Sequence, residues 1–280
     1  MRICVLGNSH VACLKLAWDQ LKDAYPKTSL TFFADRQNGL VGLTPKGSAL
    51  VPSNEALAET IGYTSGGQKV VETADYDVFL VCGLNLYLPK LDARLSRAVV
   101  QATCRDSLPA SLNFRLALRL RALTAKPVHL AHCPQRAYTP QTCADRNSMP
   151  YIRVFRWASQ VANDHQLSLN IQPLRTLEDG WSTRLAYSRG STRLAIDDEI
   201  APDAAHSKAD TAHMNADFGR LYLERWFDTL VGAHGRSRWP ATLRLGDQWA
   251  LTNPPRARRR PAHRAILSAA GQPRSAPALL

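Results

Sequence analysis

The sequence predicts an α/β fold in which a parallel β-sheet is covered by helices on both faces. Three observations lead to this prediction: short apolar runs alternate with amphipathic segments, the apolar runs are continuous, and 45% of the 280 residues are hydrophobic. Strands separated by helices favour parallel pairing with right-handed crossovers, and continuous apolar strands are typical of a sheet buried on both faces. A chain of this length can bury a full core in one domain.

Five apolar runs are the predicted strands, and the amphipathic segments between and after them are the predicted helices. The strands are expected at residues 2–6, 29–34, 76–83, 126–132 and 167–174, and the helices at about 11–25, 90–104, 110–123, 151–163 and 216–230. Apolar residues recur at helical spacing in the first and last of these helices. We expect a three-layer sandwich around a five-stranded parallel sheet with the flavodoxin-like strand order 2-1-3-4-5.

Two regions depart from this alternation. Residues 40–75 contain a turn signal, PKGS, between polar strand-like segments, and predict a hairpin inserted near one end of the sheet. Residues 236–280 are rich in Pro, Arg and Ala and predict a disordered tail outside a domain that spans residues 1–235.

The basic charge is concentrated in that tail. Six arginines within the last thirty residues have no acidic neighbour there, and they account for half of the net charge of +12. An anionic surface is therefore a candidate partner of the tail. The other cations are dispersed and form no recognisable nucleic-acid motif, so we expect no specific nucleic-acid partner.

Several patterns indicate a soluble cytoplasmic protein. No stretch approaches the roughly 18 consecutive apolar residues that a membrane span needs, and the N-terminal apolar run is too short for a signal peptide. The six cysteines form no CxxC pair, as expected in a reducing compartment. The sequence HLAHC suggests a metal site, but His129 and His132 would point to opposite faces of a strand, so we predict none.

Polar residues follow the first and third predicted strands. In open α/β sheets, ligands bind beyond the carboxyl ends of the strands where the strand order reverses, which here is between these two strands. Ser9 follows the first strand and Asn85 follows the third, so both are expected in one crevice. Ser9 would then be either a helix N-cap or a nucleophile.

A nucleophilic serine requires a base, and the base requires an orienting partner. Two histidines have an aspartate three residues earlier, in the pairs Asp203–His206 and Asp210–His213. The second pair directly precedes the last predicted helix, where residues three apart share one face. This position favours His213 over His206 as the base.

These segments resemble the conserved blocks of the SGNH (GDSL-type) hydrolase superfamily. GNSH at 7–10, GLN at 83–85 and DTAH at 210–213 resemble three of its blocks in the family's order, over about residues 1–230. The remaining block is a glycine after the second strand. Gly39 occupies that place, and Gly42 and Gly66–Gly67 are alternatives.

The resemblance implies a role for each matching residue. Ser9 would be the nucleophile, His213 the base and Asp210 the group that orients the imidazole. The Ser9 N–H, the Gly39 N–H and Asn85 Nδ2 would form the oxyanion hole. Neither a metal nor an organic cofactor is implied.

The first block departs from the usual pattern at two positions. Asn8 stands where the family usually has Asp, and His10 stands where it usually has Leu. No second glycine completes a G-x-S-x-G elbow, which disfavours an α/β-hydrolase fold. We expect Asn8 to preserve the shape of the loop through local hydrogen bonds.

The leading hypothesis is a serine-dependent ester hydrolase that forms an acyl-enzyme on short acyl esters, with carbohydrate esters among the candidate substrates. A second hypothesis keeps the same residues but transfers the acyl group to a sugar hydroxyl, as an O-acyltransferase in surface-polysaccharide synthesis would. A third is a non-catalytic ligand-binding protein that keeps the fold. The oligomeric state is not predicted.

Overall fold

The computed structural model describes residues 1–143, 145, 147–197 and 204–234, the last four of these by their backbone alone. The described residues form eight strands: β1 (Arg2–Gly7), β2 (Ser29–Ala34), β3 (Leu43–Lys46), β4 (Ala49–Pro52), β5 (Val71–Glu72), β6 (Val78–Cys82), β7 (Val128–Ala131) and β8 (Ser168–Asn170). The predicted tail at 236–280 and Asp203 of the alternative Asp–His pair lie outside the described residues.

Six α-helices connect or follow these strands. They are α1 (Ala12–Leu21), α2 (Glu55–Ser65), α3 (Arg97–Ala110), α4 (Leu112–Leu123), α5 (Tyr151–Asp164) and α6 (Ala216–His234). Within the described part of the chain, no helix combines the length and apolar character that crossing a membrane would require.

The predicted five-stranded parallel sheet is confirmed. Its strand order is β2-β1-β6-β7-β8, and each neighbouring pair is parallel. The central strand β1 pairs with β2 from Arg2 opposite Ser29 to Gly7 opposite Ala34, and with β6 on its other side. Strands β3, β4 and β5 form a separate antiparallel sheet, which contains the hairpin expected within residues 40–75.

Helices cover both faces of the parallel sheet. Ile3 and Val5 of β1 pack in a cluster with α1 and α6, while Cys4 and Leu6 pack in a second cluster with α2, α3, α4 and α5. All four side chains are fully buried, as the alternation of side chains along a strand requires when both faces are covered. This arrangement is compatible with the predicted three-layer fold.

Two helices differ from the sequence prediction because their ends are set by capping residues. Helix α2 lies in the insertion, where no helix was predicted. Asn54 Oδ1 accepts the N–H of Leu57 at its start, and Gly66 ends it with a left-handed φ of +80°. Helix α3 begins later than residue 90, because Ser96 caps it by accepting the N–H of Val99.

Candidate active site

Ser9 lies at the first turn after the central strand. Asn8 accepts the N–H of His10 with its side chain (3.3 Å) and the N–H of Val11 with its carbonyl oxygen (2.9 Å). Among the described residues, the Ser9 N–H has no acceptor. Asn8 therefore supplies the cap of this turn, as expected from its local hydrogen-bonding capacity, and Ser9 is not the capping residue.

Two glycines allow the loops after β1 and β6 to approach closely. A Cβ atom at Gly7 would lie 2.7 Å from the carbonyl oxygen of Cys82. Gly83 has a φ of +71°, and a Cβ atom there would lie 2.4 Å from Asn8 Oδ1. Glycine is needed at both positions because a side chain would push the two loops apart.

Ser9, His213 and Asp210 form a continuous hydrogen-bonded chain. Ser9 Oγ lies 2.9 Å from His213 Nε2, and His213 Nδ1 lies 2.8 Å from Asp210 Oδ2. The other carboxylate oxygen of Asp210 accepts the N–H groups of Ala212 (2.7 Å) and His213 (2.9 Å). The structure thus brings Ser9 against a histidine that lies 204 positions later in the sequence, together with the aspartate three residues before that histidine.

The hydrogen bonds of Asp210 keep its carboxyl group ionised. Burial alone would raise the pKa of this group, but hydrogen bonds from the N–H and imidazole of His213 and from the N–H of Ala212 outweigh it and lower the pKa to about 2. An ionised carboxylate on Nδ1 selects the His213 tautomer whose Nε2 accepts a proton, and Nε2 faces Ser9.

Helix packing positions the serine and histidine loops. Helix α1 begins just after Ser9 and α6 begins just after His213, and the two helices pack against each other. A Cβ atom at Gly219 of α6 would lie only 2.0 Å from the carbonyl oxygen of Cys13 in α1. Asn215 caps α6 by accepting the N–H of Phe218 (3.2 Å). The close approach of two long helices therefore places both side chains at one end of the sheet.

The imidazole of His213 lies between two other histidine rings. The His206 ring stacks on it with centroids 3.9 Å apart and planes 7° apart, and the His10 ring stacks with centroids 5.1 Å apart and planes 28° apart. Burial lowers the pKa of His10 to about 3, and burial together with nearby His213 lowers the pKa of His206. Both neighbours of His213 are therefore neutral at pH 7.

His206 also shares the carboxylate of Asp210, since its Nδ1 lies 3.4 Å from Asp210 Oδ2. His206, Asp210 and His213 lie close enough for a metal ion, but the two rings are nearly parallel and stacked. Both Nδ1 atoms lie near the same carboxylate oxygen, Asp210 Oδ2. The geometry fits two imidazoles on one carboxylate better than a metal centre.

A cleft of about 260 Å³ opens over Ser9. Its lining includes residues from the loops after β1 and β2 and from the segment before α6. They are Ser9, Arg36, Gln37, Arg193, Leu194, His206 and His213.

Gly39, which was expected to contribute its N–H to the oxyanion hole, forms a hydrogen bond within its own loop. Its N–H donates to the carbonyl oxygen of Arg36 (2.9 Å), so it is not free to bind an oxyanion. A Cβ atom at Gly39 would lie 1.8 Å from Asp35 Oδ2, so the glycine is needed for close packing against that carboxylate. Glycine at this position thus has a structural reason that does not involve the substrate.

None of the alternative glycines is among the described residues that line the cleft. The N–H groups of Gly66 and Gly67 both donate to the carbonyl oxygen of Gly62 at the end of α2. A Cβ atom at Gly42 would meet Ser53 and Leu57, so this glycine packs against the inserted hairpin and α2.

Asn85 contacts the loop after β2. Its Nδ2 donates to Asn38 Oδ1 (2.7 Å), and this bond joins the two loops that flank the end of β1. Asn85 has a left-handed φ of +62° and does not line the cleft. One hydrogen of its amide is used by Asn38, and the second remains for another acceptor.

Gln37 is the residue that sequence reasoning missed. It lines the cleft beside Ser9, has a left-handed φ of +50°, and its N–H has no acceptor among the described residues. A non-glycine residue with positive φ is uncommon. A glycine was expected to fill this role after the second strand, and no pattern in the sequence indicates Gln37.

Cysteine is an unsuitable nucleophile in the neighbourhood of the site. Cys13, Cys82 and Cys133 are buried, and burial raises the pKa of Cys13 to about 12 and that of Cys133 to about 11. The nucleophilic form of cysteine is the thiolate, so these thiols are inert at neutral pH.

Comparisons with known proteins assign no family to this chain. No family model matches the sequence, and no curated protein matches it. A solved structure described as a gut microbial diltiazem-metabolizing enzyme is similar with 14% identity and a TM-score of 0.30. The match covers 60% of this chain and 36% of the other, so this chain spans about a third of that protein.

Proposed function

We propose that this protein is a serine-dependent carboxylic-ester hydrolase of the SGNH type. The observation that carries the proposal is the distance of 2.9 Å between Ser9 Oγ and His213 Nε2, with the imidazole held on its other side by Asp210. A serine, a base within hydrogen-bond reach and an orienting carboxylate are the parts that nucleophilic acyl transfer requires.

The arrangement accounts for each bond change and proton transfer of ester hydrolysis. Ser9 Oγ attacks the ester carbonyl carbon while His213 Nε2 takes the hydroxyl proton. The tetrahedral intermediate then collapses, the alcohol leaves with the proton from His213, and the acyl group stays on Ser9. A water molecule loses a proton to His213 and attacks the acyl-enzyme, which releases a carboxylic acid and restores Ser9.

Backbone donors at the cleft are suited to stabilise the oxyanion. We assign this role to the N–H of Ser9 and the N–H of Gln37, since both residues line the cleft and neither N–H has an acceptor among the described residues. The bond from Asn85 to Asn38 ties the loop that contains Gln37 to the loop after β6. Donors that point to a developing negative charge are strong contributors, and removal of one typically costs about 10²–10³ in kcat.

The motifs and the sheet support the SGNH assignment together. The three sequence blocks lie on the loops after β1 and β6 and just before α6. The parallel sheet has the order β2-β1-β6-β7-β8 and is compatible with a three-layer α/β fold, as the proposal requires. The chain departs from the SGNH pattern at the glycine expected after the second strand, because Gln37 and not Gly39 lines the cleft.

Labelling of the full chain with a fluorophosphonate probe tests the proposal. We expect one adduct on Ser9 and steady release of carboxylic acid from 4-nitrophenyl acetate into water. Ser9→Ala should remove the label and lower kcat/KM roughly 10⁴-fold or more. Ser29→Ala, an exposed serine at the start of β2, is the matched control and should retain both.

Two results would overturn the proposal: a folded protein that the probe fails to label while it labels a control esterase, or Ser9→Ala with undiminished turnover. If the acyl group appears on an added sugar and no free acid forms, the same acyl-enzyme serves transfer and not hydrolysis.

A further inference from the structure

Two arginines line the cleft that contains Ser9. Arg36 and Arg193 are both exposed, and among the described residues neither guanidinium forms an ion pair with a carboxylate. The described residues that line the cleft include no aspartate or glutamate. The surface over the serine is therefore cationic.

Asp210 and Asp35, which lie on the same segments as residues that line the cleft, are engaged elsewhere. Asp210 binds His213 and two backbone N–H groups. Asp35 accepts the backbone N–H of Arg36 (2.6 Å), and its other oxygen packs against Gly39. Neither forms a direct ion pair with Arg36 or Arg193 among the described residues, although the charge of Arg36 opposes the raising of the Asp35 pKa by burial.

The backbone around Arg193 holds it beside the histidines. Thr192 and Ala205 form a short antiparallel bridge, the N–H of Arg193 donates to the carbonyl oxygen of Ala204 (2.7 Å), and the N–H of His206 donates to that of Ser191 (2.9 Å). The charge of Arg193 contributes to lowering the pKa of His206, as expected for a guanidinium close to that ring.

The backbone around Arg36 is fixed in a similar way on the other loop. Its N–H binds Asp35 and its carbonyl oxygen accepts the N–H of Gly39. The next residue, Gln37, also lines the cleft. The cleft therefore has one guanidinium on the loop after β2 and one on the segment before α6.

We propose that the natural substrate is an ester that carries a carboxylate or another oxyanion close to the ester bond, held by Arg36 and Arg193. Guanidinium groups bind such planar anions through paired, charge-assisted hydrogen bonds. The inference rests on the proposed ester hydrolysis and adds its substrate class. It also gives the exposed arginines a function that neither acyl transfer nor folding requires.

Matched pairs of neutral and anionic esters test this substrate class on the full chain. For charge in the acyl part, the pair is mono-4-nitrophenyl glutarate and its methyl ester. For charge in the alcohol part, the pair is 4-acetoxybenzoate and methyl 4-acetoxybenzoate. We expect kcat/KM to favour the anionic member of at least one pair about tenfold, and the preferred pair shows which side carries the charge.

Arginine variants connect that preference to the cleft. Arg36→Gln and Arg193→Gln should each lower the ratio of anionic to neutral kcat/KM about tenfold, which is the loss of one hydrogen-bonded charge contact. Arg153→Gln, an exposed arginine on α5, is the matched control and should leave the ratio unchanged. Fluorophosphonate labelling of each variant verifies that the Ser9 site is intact.

The failure of this inference is distinguishable from the failure of the proposed function. Equal turnover of both members of both pairs, or a ratio unchanged in both arginine variants, would overturn the substrate class while ester hydrolysis stands. Absence of turnover on every ester together with absence of Ser9 labelling would overturn the hydrolase itself and the inference with it.

Discussion

The two sides of the cleft are held in place by different means. On the helix-anchored side, the loops that contain Ser9 and His213 lead into α1 and α6. These helices pack so closely that Gly219 approaches the backbone of Cys13. On the hydrogen-bonded side, the loop after β2 is held by hydrogen bonds of single residues, including the bond between Asn38 and Asn85.

This difference determines how much each side can vary. Because α1 and α6 pack backbone to backbone, the positions of Ser9 and His213 at their first turns can vary little. A loop held by side-chain hydrogen bonds can place a different residue at the cleft, and here Gln37 lines the cleft while the N–H of Gly39 is used within the loop. The predictions below test these two sides in turn.

The largest effect is expected for Asp210→Asn, on the helix-anchored side. The variant removes the ionised group that orients His213, so kcat/KM should fall roughly 10²–10⁴-fold on 4-nitrophenyl acetate. Asp164→Asn, an exposed position at the end of α5, is the control and should retain activity. Activity within twofold of the wild type would show that Asp210 does not orient the base.

Next in size is Gly219→Ala, which tests the helix contact itself. A methyl group 2.0 Å from the Cys13 carbonyl oxygen must push α6 away from α1. We expect the free energy of unfolding to fall by about 1–3 kcal/mol, measured by urea denaturation, and kcat/KM to fall with it.

Gly62→Ala in α2 is the matched control for Gly219→Ala. Its new methyl group would contact only the flexible side chain of Lys69, at 3.2 Å, so the variant should be neutral or slightly stabilising. If Gly219→Ala were equally harmless, the close packing of α1 and α6 would not be what positions the site.

The helix-anchored side is also the side that could be predicted from the sequence. The alternation of strands and helices predicted the parallel sheet, and the sheet places Ser9 at the carboxyl end of β1. The position of the Asp210–His213 pair before α6 pointed to the residues that contact Ser9, because helix amphipathicity is a strong local signal.

The hydrogen-bonded side could not be predicted in the same detail. A glycine after the second strand was expected to supply a backbone donor, but the donor of Gly39 is taken by Arg36, and this depends on the loop's three-dimensional path. Helix α2 was missed because its limits depend on capping by Asn54 and Gly66. The stacking of His10 and His206 on His213 is a tertiary contact with no periodic signature.

A smaller effect is expected for the bond between Asn38 and Asn85, on the hydrogen-bonded side. Asn38→Ala and Asn85→Ala should each lower kcat/KM about tenfold, and the double variant should be little worse than either, because one shared contact is lost. A loss of about 10²–10³ for Asn85→Ala with almost none for Asn38→Ala would instead make Asn85 a direct oxyanion donor.

The smallest effect is expected at His10, where the helix-anchored side departs from the SGNH pattern that the sequence resembles. Burial lowers the pKa of this imidazole from its ordinary 6.5 to about 3, so between these values the unfolded chain binds a proton that the folded protein does not. The free energy of unfolding should therefore fall as the pH falls from 6.5 towards 3, by at most about 1.4 kcal/mol per pH unit from this one group.

His10→Leu should remove that contribution, because leucine does not titrate. Urea denaturation at pH 7 and pH 4.5 should show a smaller loss of stability on acidification in the variant than in the wild type. His165→Gln, at an exposed position, serves as the control. An identical pH dependence in His10→Leu and wild type would mean that His10 gains no proton on unfolding in this range. In that case its ring would be no more than a packing surface for His213.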